Sequence, residues 1–392
     1  MAQELVGPNF YSYDLQVETK INIDELIYIL TPDDLPLLSG IGSDGLGVIG
    51  KAPVDNTVFF WMEEDVPLPR GNTFEALDNS ETVIDVVTGD AVKFAVGDSI
   101  RIDDEIMKVT AIDPNPASGP ETLTVERAKW GTTAATHLTG AEIIGVGTVL
   151  PEGDIGSANF QGRDKYSNYT QIFSKKLTVS RTEQSIPKYG VPNELNKQMR
   201  NAMLHCNVGI EQAALYGIKY EDTATRVRST GGLNSYITTN VDTSSVWLTV
   251  EAIEARQQIA YDNGGMFDFI TARPAAFRAL NNTVGNQRIT TVTVEDARRG
   301  RRRAQTVMTE FGEITLVRNR YVRKTDAFCY SRDNFVQRVF QPLVAQKLAK
   351  TNDTDSYMMV GECGFQVKGQ DHMAKFTGLD LLAAFPGSSA LV

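Results

Sequence analysis

The sequence has few cysteines and few histidines, three of each in 392 residues. The cysteines are Cys206, Cys329 and Cys363, and each lies in an apolar or alternating stretch far from the others. This placement favours buried, reduced thiols over a disulfide framework. The histidines show no spacing typical of metal ligands. We therefore expect neither a metal site nor any other cofactor.

Hydrophobic segments of the kind used for secretion or membrane insertion are missing. The first ten residues, MAQELVGPNF, have no basic region followed by an apolar core, so they do not indicate a signal peptide. No apolar run approaches the roughly 20 residues that a membrane-spanning helix requires. These absences predict a protein of intracellular origin with no membrane partner.

Catalytic and nucleotide-binding patterns are missing as well. Residues 40–45 match GxGxxG in letters, but prolines and further glycines flank them where a dinucleotide site needs a strand and a helix. No serine or cysteine lies in a nucleophile elbow. The acidic run 103–105 lacks the spacing of a calcium loop, so it is expected in a solvated turn, and His137 is expected on the surface. The sequence therefore predicts no enzyme.

Positive charge is scarce and unevenly placed. The chain has 38 basic and 49 acidic residues, a net charge of −11, so bulk attraction to nucleic acid is not predicted. The local exception surrounds Gly300, where five arginines cluster: Arg298, Arg299, Arg301, Arg302 and Arg303. This cluster is compatible with pairing to carboxylates of a neighbouring subunit, with contact to nucleic-acid phosphates, or with a plain solvated loop.

The clearest pattern that is present runs from residue 170 to residue 217. Alternation places Phe173, Leu177 and Val179 on one face, which is typical of a half-buried strand. Apolar residues then recur at steps of three and four over 193–216, which predicts one amphipathic helix about 36 Å long. A strand joined to a helix of this length indicates a framework element.

The region 81–148 has a different sequence pattern, in which short strand-like segments are separated by residues typical of turns. It carries eleven acidic and five basic residues, a net charge of −6. The pattern predicts a small all-β domain inserted at a hairpin, because strand-like sequence resumes at Thr170. Elsewhere, helices are predicted near 23–30 and 249–263 and strands near 57–65, 266–272, 312–322 and 326–332. The fold class is therefore α+β, without alternating βαβ units.

Several segments, in their order along the chain, resemble the major capsid proteins of tailed double-stranded-DNA bacteriophages, which share the Hong Kong 97 fold. The segments are LTPDDLPLLSGIG (30–42), YTQIFSKKLTVSRTEQSIPKYG (169–190), EQAALYG (211–217), GGLNSYI (231–237), NGGMFDFITA (263–272), FGEITLVRNRYV (311–322) and LAKTNDTDSYMMVGECGFQVKGQDHMAKFTGL (348–379).

The resemblance implies a division of the chain into the elements of that fold. They are an N-terminal arm (1–50), the first side of an E-loop hairpin (51–80), the inserted β domain (81–148), the return side of the hairpin (149–185), the spine helix of the peripheral domain (186–217), the axial domain (218–325), and peripheral-domain strands with a C-terminal tail (326–392). The strands near 57–65 and 170–182 are expected to be the two sides of the hairpin.

The resemblance also implies a function, which is assembly rather than catalysis. Proteins of this kind form hexamers and pentamers that build an icosahedral shell around phage double-stranded DNA. The implied partners are further copies of the chain, a scaffolding protein, a portal, a decoration protein and, non-specifically, the packaged DNA. The implied location is the virion, after synthesis in the host cytoplasm.

A different class of function stays open at this point, namely a host-surface or glycan-binding module carried by the acidic β insert. Against it, Trp130 is the only tryptophan of the insert, and no row of aromatic residues suited to sugar stacking is present.

Overall fold

The computed structural model describes residues 35–39, 49–64, 68–116, 119–153, 162–186, 194–277, 280, 289–296, 300–350 and 353–380, with the backbone alone for 289–304. The helix predicted near 23–30, the glycine motif at 40–45, and Arg298 and Arg299 lie outside these residues. No helix in the described ranges combines the length and apolarity needed to cross a membrane.

Strands outnumber helices in the described part of the chain. The strands are β1 Gly50–Pro53, β2 Val58–Glu63, β3 Arg70–Asn72, β4 Val83–Val86, β5 Asp98–Ile102, β6 Glu105–Asp113, β7 Glu121–Glu126, β8 Glu142–Thr148, β9 Asp164–Tyr169, β10 Gln171–Ser180, β11 Tyr220–Asp222, β12 Val227–Ser229, β13 Val241–Asp242, β14 Phe269–Ala272, β15 Ile289–Asp296, β16 Gly300–Thr309, β17 Gly312–Arg318, β18 Asp326–Tyr330, β19 Phe335–Lys347, β20 Thr354–Val367 and β21 Ala374–Thr377. The helices are α1 Pro36–Ser39, α2 Arg181–Ser185, α3 Glu194–Tyr216, α4 Leu233–Tyr236 and α5 Val250–Asp262.

The chain folds into two compact units. One is formed by Met1–Phe60 together with Ser167–Val392, and the other by the continuous stretch Trp61–Tyr166. We call them the main unit and the barrel unit.

The barrel unit is a closed antiparallel sheet of six strands in the order β3-β8-β5-β6-β7-β4. A bridge between Thr73 and Val86 joins the residues after β3 to β4 and closes the ring. Alternating residues of the strands fill the interior, for example Ile84, Val86 and Ile100, all fully buried. Closure leaves no long unpaired strand edge, which protects a small sheet from adding strands of other chains.

The main unit contains the predicted long helix, at α3, and a four-stranded sheet in the order β1-β19-β20-β10. Ala202, Cys206 and Ile210 of α3 are buried, as the apolar stripe predicts. In the last turn, Ala214 and Leu215 are fully buried, whereas Ala213, three residues after Ile210 and at a position of the same predicted apolar face, is only half-buried. The helix packs on β10 and β20. The apolar face predicted for β10 is thus the face that contacts α3.

The pairing expected for the long hairpin is wrong in one respect. Strand β2 pairs with β9, residues 164–169, in a two-stranded ribbon. Strand β10 lies in another sheet, antiparallel to β20 from Gln171↔Cys363 to Ser180↔Thr354. The reason is burial, because Phe173 and Val179 of β10 pack in the main unit and a ribbon of two strands has no core to receive them.

A second sheet of the main unit has seven strands in the order β13-β21-β18-β14-β17-β16-β15. Its core includes residues of α5, among them Ile253 and Ala260. Helix α5 begins at a capping residue, since the Thr249 side chain accepts a hydrogen bond from the backbone N–H of Ala252 at 3.2 Å. Strand β14 runs parallel to β17 and antiparallel to β18, so the sheet is mixed.

Candidate functional site

A buried carboxylate on α3 holds the chain just before β1. Glu211 is fully buried, and its Oε1 and Oε2 accept hydrogen bonds from the backbone N–H groups of Leu37 at 3.0 Å and Leu38 at 3.2 Å. The side-chain amide of Asn319 donates a third bond to Oε1 at 2.8 Å. Burial raises the pKa of the Tyr330 hydroxyl, and the negative charge of Glu211 adds to that rise.

A backbone hydrogen bond joins the segment that Glu211 holds to Ile49, the residue before β1. The N–H of Ile49 donates to the carbonyl of Leu37 at 3.0 Å, and both residues are buried. Strand β1 then pairs in parallel with β19, from Gly50↔Val336 to Pro53↔Val339. The sequence contained no local signal for this anchor, since its partners come from three distant segments of the chain.

The base of the ribbon formed by β2 and β9 is fixed by a buried amide. Asn168 is fully buried, and its Nδ2 donates to the carbonyls of Phe365 at 2.6 Å and Gly231 at 3.0 Å. Its Oδ1 accepts from the N–H groups of Tyr169 at 2.8 Å and Gly231 at 2.9 Å. Because Asn168, Gly231 and Phe365 are buried, these hydrogen bonds fix the last residues of β9 within the main unit.

Further along the ribbon, one face of β2 is apolar and exposed. Phe60 and Met62 are 56% and 65% exposed, whereas the alternate residues Phe59 and Trp61 are buried. The Trp61 indole N–H donates to the Glu63 carboxylate at 2.8 Å. Exposed apolar side chains on a two-stranded ribbon are typical of a surface that is covered in an assembly.

The arginine cluster does not lie in a loop throughout. Arg301, Arg302 and Arg303 lie on β16, opposite Glu295, Val294 and Thr293 of β15. A solvated loop is therefore the wrong interpretation for these three residues, which form one strand of a hairpin at the end of the seven-stranded sheet.

The barrel unit contains an ion network that sequence reasoning missed. The expectation of a solvated turn is wrong for Glu105, which is 1% exposed, and the expectation of a surface position is wrong for His137, which is 3% exposed. Arg127 donates to both oxygens of the Glu105 carboxylate, at 3.0 and 2.6 Å. The two ring nitrogens of His137 lie 2.7 Å from Asp103 Oδ2 and 3.1 Å from Glu105 Oε2.

These contacts decide the charge state of the Glu105 carboxyl. Burial opposes its ionisation, but the hydrogen bonds from Arg127, from the N–H groups of Ala135 and Ala128 and from His137 outweigh burial and lower its pKa to about 2. The network joins the turn between β5 and β6 to the segment between β7 and β8. Spacing in the sequence gave no hint of it, because its members are up to 34 positions apart.

Within the described ranges, neither unit shows a cluster suited to a metal ion. Among the described residues, no three side chains of histidine, cysteine, aspartate or glutamate come together as metal ligands would. All three cysteines are buried and reduced, as expected. The features that stand out are thus anchors and exposed ribbons.

Comparison with known proteins agrees with this picture. The profile of the SU10 major capsid protein family matches residues 9–380, and no curated protein matches the chain. The capsid of a native GTA particle shares the fold at a TM-score of 0.50 and 8% identity, over 93% of this chain and 96% of that one.

Two phage proteins are similar in outline. The capsid of Myoviridae phage XM1 has a TM-score of 0.48 and 13% identity over 95% of this chain and 100% of that one. The protein of Microbacterium phage Oxtober96 has a TM-score of 0.47 and 10% identity over 91% of this chain and 96% of that one. None of these comparisons supports a glycan-binding module. Since the family profile covers nearly the whole sequence, the chain belongs to the SU10 major capsid protein family.

Proposed function

We propose that this major capsid protein self-assembles as hexamers and pentamers into an icosahedral shell that encloses phage double-stranded DNA. The observation that carries the proposal is the family match over residues 9–380. The anchored segment before β1 and the ribbon of β2 and β9 support it. Overlapping extensions of this kind enlarge the contact area between neighbouring subunits of a thin shell. The virion is then the place where the protein acts, and assembly requires no chemical turnover.

The division into arm, hairpin, spine helix, axial domain and peripheral strands is part of the proposal. The arm ends at the Glu211 anchor, and the ribbon of β2 and β9 serves as the E-loop hairpin. Helix α3 serves as the spine. The barrel unit is the inserted domain, and its compact part, Trp61–Tyr166, is wider than the 81–148 expected from sequence.

Charge supports an outward position for the barrel unit. Trp61–Tyr166 contains 19 of the 49 acidic and 8 of the 38 basic residues, so it carries the whole net charge of −11. The main unit has 30 residues of each sign and is neutral. Packaged DNA repels an acidic unit, so the lumen is the less favourable side for it.

The arginine hairpin is proposed as a contact to a neighbouring subunit or to the packaged DNA. Replacing Arg301, Arg302 and Arg303 together by glutamine separates the two. Loss of capsomers identifies subunit contact, whereas normal empty shells with reduced DNA retention in high salt identify phosphate contact. Normal assembly and normal retention reject both.

Expression and electron microscopy test the main proposal. We expect closed particles or ring-shaped hexamers, and a uniform monomer or dimer under all conditions contradicts it. We further propose a separate scaffolding protein, a portal and a decoration protein as partners. Uniform shells of native size formed by the purified chain alone count against the scaffolding protein.

Deletion of the β insert distinguishes a shell protein from a glycan-binding carrier. A variant without residues 81–148 still forms capsomers if the chain is a shell protein. A receptor-binding carrier without this region keeps its oligomeric state and loses binding.

A further inference from the structure

The strands of the seven-stranded sheet give it two ends that differ in charge. Strands β14 and β17 run parallel to each other, and β16 runs antiparallel to β17. The first residues of β14 and β17 therefore lie at the same end of the sheet as the last residues of β16. The first residues of β16 lie at the opposite end. At about 3.3 Å per residue, the length of β16 separates the two ends by about 30 Å.

One end of this sheet is acidic. Four exposed carboxylates lie around the turn between β16 and β17, namely Asp262 at the end of α5, Asp268 just before β14, Glu310 in the turn and Glu313 on β17. Among the described residues, no lysine or arginine forms a salt bridge with any of the four. Their charge of −4 is therefore not neutralised within the described part of the chain.

Apolar side chains lie among these carboxylates. Tyr261, Met266 and Met308 are 57%, 39% and 46% exposed. The Tyr261 ring packs against the ring of Phe311, with 5.7 Å between their centroids, and Met308 lies directly opposite Glu313 in the β16–β17 pair. Exposed apolar side chains beside unpaired charges of one sign are typical of a contact surface. We call these four apolar residues and the four carboxylates the acidic end.

The cations found near this end lie farther across the sheet and are balanced by acids. Arg332 and Asp333 follow β18, and β14 separates β18 from β17. Lys368 and Asp371 both lie between β20 and β21. These pairs of opposite charge leave the net charge of the acidic end unchanged.

The opposite end of the sheet is basic. Its arginines are Arg301, Arg302 and Arg303 in the first part of β16, Arg318 at the end of β17 and Arg320 just after it. Arg318 and Arg320 are exposed, and Arg318 Nη2 donates to the Gln305 amide oxygen at 2.9 Å. Gln305 follows Arg303 by two positions on β16, so the arginines of the two strands lie close together. We call these five arginines the basic end.

The acids near the basic end do not cancel its charge. Glu295 and Asp296 of β15 lie opposite Arg301 and Gly300, so the five arginines and these two acids together carry a charge of +3. The surrounding charged residues are Arg273, Arg323, Lys324, Asp326 and Asp380, which add one further positive charge. This end of the sheet is therefore cationic as a whole.

The two ends are complementary to each other, and neither is complementary to itself. Two acidic ends repel each other, as do two basic ends, whereas an acidic end attracts a basic end. The two ends of one chain cannot meet, because the length of β16 separates them. Two different complementary patches at opposite ends of one subunit produce a head-to-tail contact, and contacts of this kind close into rings.

We propose that the basic end of one copy docks on the acidic end of the next copy around a ring. The partner of each end is thus a second copy of this chain. The contact brings Arg318 and Arg320 of one copy to Glu310 and Glu313 of the next, and it covers the apolar side chains of the acidic end. The inference rests on the proposed function, because it assumes ring-shaped hexamers and pentamers.

Charge reversal tests the contact. Glu310→Lys/Glu313→Lys and Arg318→Glu/Arg320→Glu are each expected to reduce the yield of ring-shaped capsomers about tenfold or more, because each places like charges together. A chain with all four changes pairs lysine with glutamate at every contact, so its yield returns to within about twofold of the parent chain. Size-exclusion chromatography and negative-stain microscopy measure the yield. Full yield from either reversed variant, or no recovery in the four-change chain, overturns the proposal.

Co-expression of the two reversed variants shows whether the contact joins neighbours in a ring. When the variants alternate around a hexamer, every contact joins opposite charges. A pentamer has an odd number of copies, so it always keeps one contact between like charges. We therefore expect hexamers to return and pentamers to stay scarce. A mixture that forms no hexamers overturns the proposal.

Two control variants separate this contact from net charge and from misfolding. Asp55→Lys/Glu152→Lys reverses two exposed acids outside the acidic end, and we expect an unchanged yield. An equal loss in this control shows that net charge is decisive and overturns the proposal. Glu310→Gln/Glu313→Gln removes the charges without reversing them, so its loss is smaller than that of the lysine variant. Thermal unfolding checks that each chain folds, and full yield from the glutamine variant overturns the proposal.

Contact with packaged DNA is the competing outcome for the basic end. If the Arg318→Glu/Arg320→Glu chain forms capsomers and closed shells at full yield, but the shells lose DNA in high salt, the arginines bind phosphate and the proposal is overturned. A parent chain that forms neither rings nor particles refutes the proposed function instead, so the two failures differ.

Discussion

The carboxylate of Glu211 accepts a hydrogen bond from the backbone N–H of Leu37, 174 positions earlier in the chain, at 3.0 Å. This bond ties α1 to α3 within the main unit. A strap that transmits force between subunits needs such a fixed end, because a loose end gives way before the contact does. In the proposed shell, the Glu211 carboxylate would supply this fixed end.

Removing the Glu211 carboxylate is expected to destabilise the main unit. Glu211→Ala removes the acceptor of the buried Leu37 N–H and of the partly buried Leu38 N–H, which costs about 3–5 kcal/mol in the free energy of unfolding. Chemical denaturation measures the loss. Gln212→Ala, at the next and exposed position of α3, is the control and stays within about 0.5 kcal/mol. Equal effects of both changes contradict the anchor.

The Glu105 network predicts how the barrel unit responds to acid. The folded pKa of about 2 lies below the ordinary value of 4.5, so its stabilisation is present above pH 4.5 and is lost as the pH falls toward 2. The loss amounts to roughly 3 kcal/mol as an upper value. Unfolding curves between pH 6 and pH 2 measure it. In Glu105→Gln the curves are flatter in this window, and an unchanged slope refutes the assignment.

The buried amide at the ribbon base predicts a strong effect of a small change. Asn168→Asp places a carboxylate against the carbonyl oxygens of Phe365 and Gly231, so we expect a loss of about 3 kcal/mol or more in the free energy of unfolding and fewer closed particles. The exposed Asn201→Asp on α3 is the control and leaves both quantities nearly unchanged. A stable, assembling Asn168→Asp variant contradicts the role of this amide.

Two glycines are expected to respond to alanine with opposite signs. A Cβ at Gly232 would lie 2.4 Å from the Ala213 carbonyl oxygen, a backbone atom that cannot move aside, so Gly232→Ala costs about 2 kcal/mol or more. A Cβ at Gly209, within α3, would lie 3.7 Å from the Phe173 ring, an ordinary contact. Gly209→Ala therefore stabilises by about 0.5–1 kcal/mol through helix propensity. Thermal unfolding distinguishes the two, and equal signs contradict the packing.

Local periodicity predicted the elements whose residues lie on one face of a single helix or strand. The stripe of Ala202, Cys206 and Ile210 predicted α3, and the alternation of Phe173 and Val179 predicted β10. These patterns are local because burial of one face depends only on the period of the element itself. The short strands between residues 81 and 148 were predicted from the sequence for the same reason.

The choice of partners depended on the tertiary structure. The pairing of β2 with β9, the burial of Glu211 beside Leu37, and the meeting of Glu105 with His137 all join residues far apart in the chain. No local pattern encodes such contacts, because the free energy of a pairing depends on every surface that competes for it. The amino-acid sequence thus determined which segments form helices and strands and where charge accumulates. Only the fold decided which acids are buried and which strand residues remain exposed to solvent.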